Sequence, residues 1–306
     1  MRAFHFLLRF VVLSSGVSGA LGAIELQPAT VNAWDDYLRA TAGRMQARLD
    51  GRQSFLWIDG APDRRARLQR GEILIAPAAG RGTFAVPSGI IHHWIGAVFI
   101  PHATLDDLFA VVHDYDRYKQ FYQPVVAESK TLACTGAGQQ FSMIWRHRIL
   151  FIDAAVEGWY EARDTRLDAR RGYSEVSTTQ IREFEDFGRG GEDLLPPGQG
   201  NGFIWRMHSI ARYEESDGGV YLEIEAIALT RDIPPSLRWM VNPVVRHLSI
   251  DSLTTTLRQT RDAVNALPVP PARLTSRAGS GPSSGAGDSD AGVARSTPFH
   301  VLPPCR

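Results

Sequence analysis

Cysteine is scarce in this chain, and its charges cancel. The 306 residues include two cysteines, Cys134 and Cys305, which are too few for a disulfide scaffold and do not have metal-site spacing. We expect both to be free. The 33 basic and 33 acidic residues give a net charge of zero, and no basic stripe is present. Because a nucleic-acid-binding surface needs concentrated positive charge, the composition argues against a nucleic-acid partner.

Long apolar runs are missing except at the N-terminus. Residues 1–22 contain Arg2, an apolar stretch that extends to Leu13, and a series of small residues, which is the layout of a secretory signal peptide. The stretch is too short to span a bilayer comfortably, and Arg9 interrupts it. We therefore expect an exported protein, periplasmic or secreted, with an uncleaved anchor as the alternative.

Motifs for catalysis and metal binding are also missing, since the sequence has no nucleophile motif, phosphate-binding loop or metal-ligating triad. His92 and His93 are adjacent, so on a strand they point to opposite faces and cannot easily chelate one metal. Asp114 and Asp116 could form a carboxylate pair, but each also fits a helix terminus, where a carboxylate accepts backbone N–H groups. The sequence predicts no catalytic residue, no metal and no cofactor.

The best-defined pattern in the chain is a β-hairpin whose turn is at residues 217–218. Apolar and polar residues alternate on both sides of this Asp-Gly turn, as in two antiparallel strands. The turn pairs Tyr213 with Leu222 and Arg212 with Glu223. The uncharged faces of the two strands then coincide, and the charged faces form the outer side of the sheet.

A long helix is predicted after this hairpin. Two prolines end the second strand, and Asn242-Pro243 has the pattern of an N-cap followed by the first helical position. Apolar residues then recur at helical spacing, including Leu253 and Leu257, and the pattern is clearest over residues 250–267. A curved antiparallel sheet closed by such a helix leaves a cavity that suits apolar ligands.

The rest of the sequence divides into three parts after the signal peptide. Residues 23–88 predict an N-terminal extension with one amphipathic helix and short strands, the first near residues 55–58. Residues 89–267 predict the main domain, with a strand, two short helices, several antiparallel strands and the long helix. Residues 268–306 contain several prolines and then mostly Ser, Gly and Ala, so they predict a disordered tail.

Two segments of the main domain carry a family resemblance. Residues 110–118, Ala-Val-Val-His-Asp-Tyr-Asp-Arg-Tyr, lead to residues 122–126, and residues 229–234 lead into the final helix. In this order they resemble the START-like or Bet v 1-like superfamily, which includes polyketide cyclases and coenzyme Q-binding proteins, and the chain also resembles a group of exported bacterial proteins of this type. The resemblance implies an α+β helix-grip fold, a curved antiparallel sheet wrapped around a long C-terminal helix. It implies no catalytic residue, because the superfamily shares no catalytic motif.

The candidate ligand-binding residues share the uncharged face of the sheet or the facing side of the last helix. They are Trp145, His147, Trp205, Met207, Leu222, Ile224, Ala226, Leu253 and Leu257. His147 is the candidate for a polar group that orients a ligand or acts as a base, with an ordinary core histidine as the alternative.

The implied partner is a lipid or another hydrophobic small molecule, held mainly by apolar burial. Transient contact with a membrane is also open. Two alternative functions remain at this point: a cyclase-type or dehydratase-type enzyme that uses the same cavity, and a non-catalytic protein-interaction module.

Overall fold

The computed structural model describes most of the chain after residue 25. The described residues are 26–135, 138–149, 152–185, 187–188, 192–200, 202, 204–232 and 238–268, with the backbone alone for 147–149, 152–154 and 238–245. The predicted signal peptide and nearly all of the predicted tail lie outside these ranges. No helix within them is long and apolar enough to cross a membrane.

The described residues form five α-helices and ten β-strands. The helices are α1 (Pro28–Leu49), α2 (Arg64–Gln69), α3 (Leu105–Val112), α4 (Tyr118–Phe121) and α5 (Arg238–Asn265). The strands are β1 (Leu74–Pro77), β2 (Thr83–Val86), β3 (Gly89–Pro101), β4 (Val126–Thr135), β5 (Gly138–Ile149), β6 (Ile152–Arg166), β7 (Arg171–Glu185), β8 (Asp193–Leu194), β9 (Arg206–Ser216) and β10 (Gly219–Arg231).

The strands form one open, curved antiparallel sheet in the order β1-β3-β10-β9-β7-β6-β5-β4, with β2 beside β3 and β8 beside β7. The predicted hairpin register is confirmed, because Tyr213 lies opposite Leu222 and Arg212 lies opposite Glu223. The alternation of apolar and charged side chains specified this register, since a slip by one residue would exchange the two faces.

Helix α5 packs across β1, β3 and β10 on the concave side of the sheet. It approaches closely at Gly96, where a Cβ atom would lie 2.8 Å from a methyl group of Leu257 and 3.0 Å from one of Leu253. The capping box of α3 is also present, with Thr104 accepting from the Asp107 backbone. The predicted α+β helix-grip fold is confirmed by this arrangement.

Three local predictions were wrong. Helix α5 begins at Arg238 and continues through Pro243, so Asn242-Pro243 does not mark its start. Residues 55–58 are not a strand, since a 3₁₀ helix covers Trp57–Gly60. Four consecutive apolar residues at positions 55–58 resembled a short strand. Cys134 is not free but disulfide-bonded, and Cys305 lies outside the described residues.

The charged face of the hairpin is buried under the N-terminal extension and not exposed to solvent. Arg212 and Glu223 are each 1% exposed. The guanidinium group of Arg212 donates to Glu223 at 2.9 Å and to Glu225 at 2.8 Å. An isolated buried charge is costly, so this two-carboxylate contact is what makes burial of the arginine tolerable.

This charged cluster connects the sheet to the extension. The imidazole of His93 lies 2.7 Å from a Glu225 oxygen through Nε2 and 2.7 Å from the Tyr37 hydroxyl of α1 through Nδ1. The backbone N–H of Ile58 donates to Glu223 at 3.2 Å. The extension is therefore attached through polar contacts as well as through its apolar residues.

We expect the replacement Arg212→Met to lower the free energy of unfolding by about 3–5 kcal/mol, because it leaves two carboxylates buried without their cation. Urea unfolding of the purified chain measures the loss. The control Arg39→Met removes an exposed arginine from the opposite side of α1, and it should change stability by no more than about 0.5 kcal/mol. Equal effects of the two replacements would contradict this assignment.

The same cluster predicts a dependence of stability on pH. Burial alone would raise the pKa of Glu225, but contacts with His93 and Arg212 outweigh it and lower the pKa from 4.5 to about 2. A lowered carboxyl pKa contributes stability that is complete above the unfolded value and is lost as pH falls through the folded value. We therefore expect the stability advantage of the wild-type chain over Glu225→Gln to decrease as pH falls from about 5 to about 2.

Urea midpoints measured at several pH values test this prediction. The exposed carboxylate of Glu128 pairs with Lys119 on the surface, so Glu128→Gln serves as the control and should follow the wild-type curve. A stability difference between wild type and Glu225→Gln that stays constant across this pH range would contradict the prediction.

Candidate ligand-binding cleft

One end of the concave face is filled where α5 meets the sheet. Leu222, Leu253 and Leu257 belong to a single buried cluster with side chains of β3, β9 and α3. Leu257 is fully buried, and Leu222 and Leu253 are nearly so. These three predicted residues therefore form a closed wall where α5 packs on the sheet, which we call the α5 wall.

The other end of the concave face is filled by stacked aromatic rings. The ring of Phe141 lies between those of Tyr115 and Tyr160, with centroid distances of 4.0 and 4.9 Å. The indole N–H of Trp145 donates to the Tyr160 hydroxyl at 2.6 Å. A side chain at Gly158 would collide with the Tyr160 ring, so this glycine provides the space for the stack.

Between these two clusters, the concave side of the sheet is only half-buried. The side chains that face this region are small or apolar, and we call the region that they line the concave cleft. They are Val176, Thr178, Met207, Ser209, Ala211, Ile224, Ala226 and Ala228. On the opposite face of β10, Glu225, Ile227 and Leu229 are buried. The centre of the sheet is thus more open on its uncharged side than on its charged side.

Six predicted residues besides the α5 wall have different positions. Met207, Ile224 and Ala226 line the concave cleft, and Trp145 is half-buried at the aromatic end. Only the backbone of His147 is described, and it pairs with Ala154 between β5 and β6. The proposed role of His147 therefore stays a prediction.

Trp205 lies away from the other predicted residues, because β9 begins only at the next residue. Its backbone N–H donates to the carbonyl of Leu229 at 2.8 Å. Its ring packs with Trp34 and Ile227 on the side of the N-terminal extension. Residues Ile181 and Gln199 join it around a small cavity of about 160 Å³. The strand parity that placed Trp205 with Met207 does not hold beyond the end of the strand.

A second opening was not predicted from the sequence. A groove of about 470 Å³ lies between α2, the edge strand β1 and α5, and Ile73, Ile75 and Ile250 contribute apolar side chains to it. The guanidinium of Arg64 stacks on Trp57, 3.9 Å from the ring centroid. The short helix α2 has too little periodicity to be recognised in the sequence, so the groove could not be anticipated.

A polar trio lies where α3 meets β6 and β7. His113 Nε2 is 3.1 Å from Asp164, and the Ser174 hydroxyl donates to the same carboxylate oxygen. Burial raises the pKa of Asp164, but the His113 and Ser174 contacts outweigh it and hold the pKa below its usual value. Because the carboxylate lies between the other two groups, His113 does not contact the serine oxygen and cannot act as its base.

The trio therefore ties α3 to the sheet and does not form a nucleophilic site. In the described part of the chain, no group of three or more His, Cys, Asp or Glu side chains could hold a metal ion. The described concave face is an apolar surface with few polar groups.

No protein-family model and no curated protein sequence matches the chain. Similar solved structures include a STAR-related lipid transfer protein from Xanthomonas axonopodis, with 18% identity, coverage of 63% of this chain and 98% of that chain, and a TM-score of 0.39. A START superfamily protein from Mycobacterium smegmatis has 13% identity, covers 58% and 99%, and has a TM-score of 0.40.

Zhui aromatase/cyclase from Streptomyces sp. R1128 is also similar, with 14% identity, coverage of 57% of this chain and 94% of that chain, and a TM-score of 0.36. Identities and TM-scores of this size describe a distant likeness. The fold assignment rests on the strand order, the register and the position of α5 in this chain.

Proposed function

We propose that this chain, which has the helix-grip fold of START-like proteins, is an exported protein that binds a hydrophobic small molecule or lipid in the concave cleft. The observation that carries the proposal is the half-burial of Met207, Ile224 and Ala226 in the middle of a large sheet. Apolar side chains at such a position are normally covered. Here the cover is incomplete between α5 and the aromatic stack, and a ligand would complete it.

Apolar burial supplies enough free energy for such binding. A ligand that removes roughly 200 Å² of apolar surface from water gains on the order of 5 kcal/mol. Small side chains such as Ala226 and Ala228 leave room against the sheet for a ligand with a flexible hydrocarbon tail or a flat ring system. The described polar trio does not place a base beside its serine hydroxyl. The enzyme alternative therefore depends on His147, whose side chain lies outside the described part of the chain.

The interaction-module alternative has less support. It requires a large exposed apolar patch. Among the described residues, the large hydrophobic side chains are at least partly buried except for Leu132, which is 46% exposed. A single exposed leucine does not make an interface.

Export is supported by two independent features. Residues 1–22 have the layout of a signal peptide. Cys134 is disulfide-bonded, and disulfides persist in oxidising compartments such as the periplasm and the extracellular space.

Binding in the concave cleft predicts that Ala226→Phe weakens the affinity for an apolar probe by roughly tenfold or more, because the added ring fills the cleft. Fluorescence titration with N-phenyl-naphthylamine measures the affinity, and native mass spectrometry detects any ligand that co-purifies. The control Ala66→Phe adds the same ring at an exposed position of α2 and should leave affinity unchanged. Unchanged binding by Ala226→Phe, or no binding by the wild-type chain, would rule out this site.

Export predicts that the full chain, expressed in a bacterial host with a periplasm, is recovered outside the cytoplasm without its first 20 or so residues. The replacement Val12→Arg places a second charge in the apolar stretch and should retain the intact chain in the cytoplasm. Cell fractionation and intact-mass measurement distinguish the two results. Recovery of both proteins, uncleaved, in the same fraction would contradict export by this segment.

A further inference from the structure

Two side chains on β3 have buried polar atoms with no hydrogen-bond partner among the residues that the structure describes. His92 is 6% exposed and Trp94 is 3% exposed. The unpartnered atoms are His92 Nδ1 and Trp94 Nε1. Because most buried polar atoms in folded proteins are paired, two unpaired ones on neighbouring positions of one strand face require an explanation.

Both side chains belong to the concave side of the sheet. His92 lies directly opposite Ala228 in the β3–β10 register, and Trp94 lies directly opposite Ala226. Directly opposed residues of antiparallel strands share a face, and the two alanines line the concave cleft. His92 and Trp94 therefore stand at the β3 border of the cleft, next to two of its alanines, and Trp94 also belongs to the buried cluster that contains Leu253 and Leu257.

The chemistry of the two atoms can be assigned. His92 Nε2 is 3.0 Å from the Thr230 hydroxyl, which is itself 3.3 Å from the carbonyl oxygen of Arg231. The hydroxyl also lies 3.5 Å from the carbonyl oxygen of Ile90, and a carbonyl only accepts. We therefore assign the hydroxyl hydrogen to a carbonyl and His92 Nε2–H as the donor to the hydroxyl. Burial lowers the pKa of His92 to about 4, which keeps the ring neutral near pH 7. His92 Nδ1 is then an acceptor, whereas Trp94 Nε1 is a donor.

We propose that the ligand of the concave cleft carries a hydroxyl group, which donates to His92 Nδ1 and accepts from Trp94 Nε1. The inference rests on the proposed binding function and names the chemical class of the ligand, an apolar alcohol. The Cα atoms of residues two apart on a strand are separated by roughly 6.6 Å, and side chains on one face start from positions with this spacing. One oxygen atom with two hydrogen bonds of about 3 Å each spans a comparable distance.

Other polar groups fit this pair less well. A carbonyl or carboxylate oxygen has no hydrogen for His92 Nδ1, and an ammonium group has no lone pair for Trp94 Nε1. The guanidinium of Arg246, an exposed residue of α5, lies 5.7 Å from the Trp94 ring centroid. A hydroxyl satisfies both buried atoms without placing a charge in the site.

Three probes of equal chain length test the proposal: dodecanol, which donates and accepts; dodecyl methyl ether, which only accepts; and dodecane, which does neither. Each displaces N-phenyl-naphthylamine from the purified chain. We expect dodecanol to bind roughly threefold to tenfold more tightly than the ether, and the ether to exceed dodecane by a similar factor. Equal affinities for the three probes would overturn the hydroxyl assignment while the binding function stands.

Two variants then separate the two hydrogen bonds. His92→Gln retains an amide near Thr230 but removes Nδ1, so it should abolish the preference for dodecanol over the ether. Trp94→Phe removes Nε1–H and should abolish the preference for the ether over dodecane. Trp34→Phe makes the same change on the opposite side of the sheet and should keep both preferences. If both preferences survive His92→Gln and Trp94→Phe, the inference is wrong.

The wild-type series needs no variant, so it remains decisive even where a substitution prevents folding. Failure of the chain to bind the fluorophore or any of the three probes would instead overturn the proposed function itself. A crystal structure with dodecanol in which an ordered water takes both hydrogen bonds, and the alcohol does not, would also overturn the assignment.

Discussion

The structure depends on one buried cation. Arg212 lies on the charged face of the central hairpin and holds Glu223 and Glu225 within hydrogen-bond distance. Burying these charges is tolerable only if each charged group has a partner of opposite charge when the apolar cover excludes water. Helix α1 and the segment after it form that cover, and His93 and Tyr37 extend the polar contacts into it. The N-terminal extension therefore packs on the sheet through polar as well as apolar contacts.

This cover has a consequence for the other face of the sheet. With the charged side enclosed by the N-terminal extension, α5 and the short helices are left to cover the uncharged side. They do so at both ends but not in the centre, where Met207 and Ala226 remain half-buried. The cleft arises because one long helix is too narrow to cover the full width of a many-stranded sheet. The proposed function uses the surface that this geometry leaves open.

Local patterns in the sequence were sufficient for much of this architecture. The register of the hairpin follows from side-chain alternation around a two-residue turn, and the long helix follows from its apolar periodicity. The assignment of Met207 and Ile224 to one face follows from the same alternation. It failed at Trp205, because alternation applies only inside a strand and β9 begins one residue later. Similarly, the run of four apolar residues at positions 55–58 resembled a short strand in a segment that is partly 3₁₀ helix.

The sequence by itself determined the fold class, the hairpin register and the separation of charged and uncharged faces, because these depend on contacts between residues that are close in the chain or directly paired. Only the tertiary structure decided which face is enclosed and where the sheet remains open. Those outcomes depend on how far α1 and α5 reach across the sheet. The unpaired atoms of His92 and Trp94 are also a feature that only the tertiary structure reveals. A buried atom can be recognised as lacking a partner only when the neighbouring elements are in place.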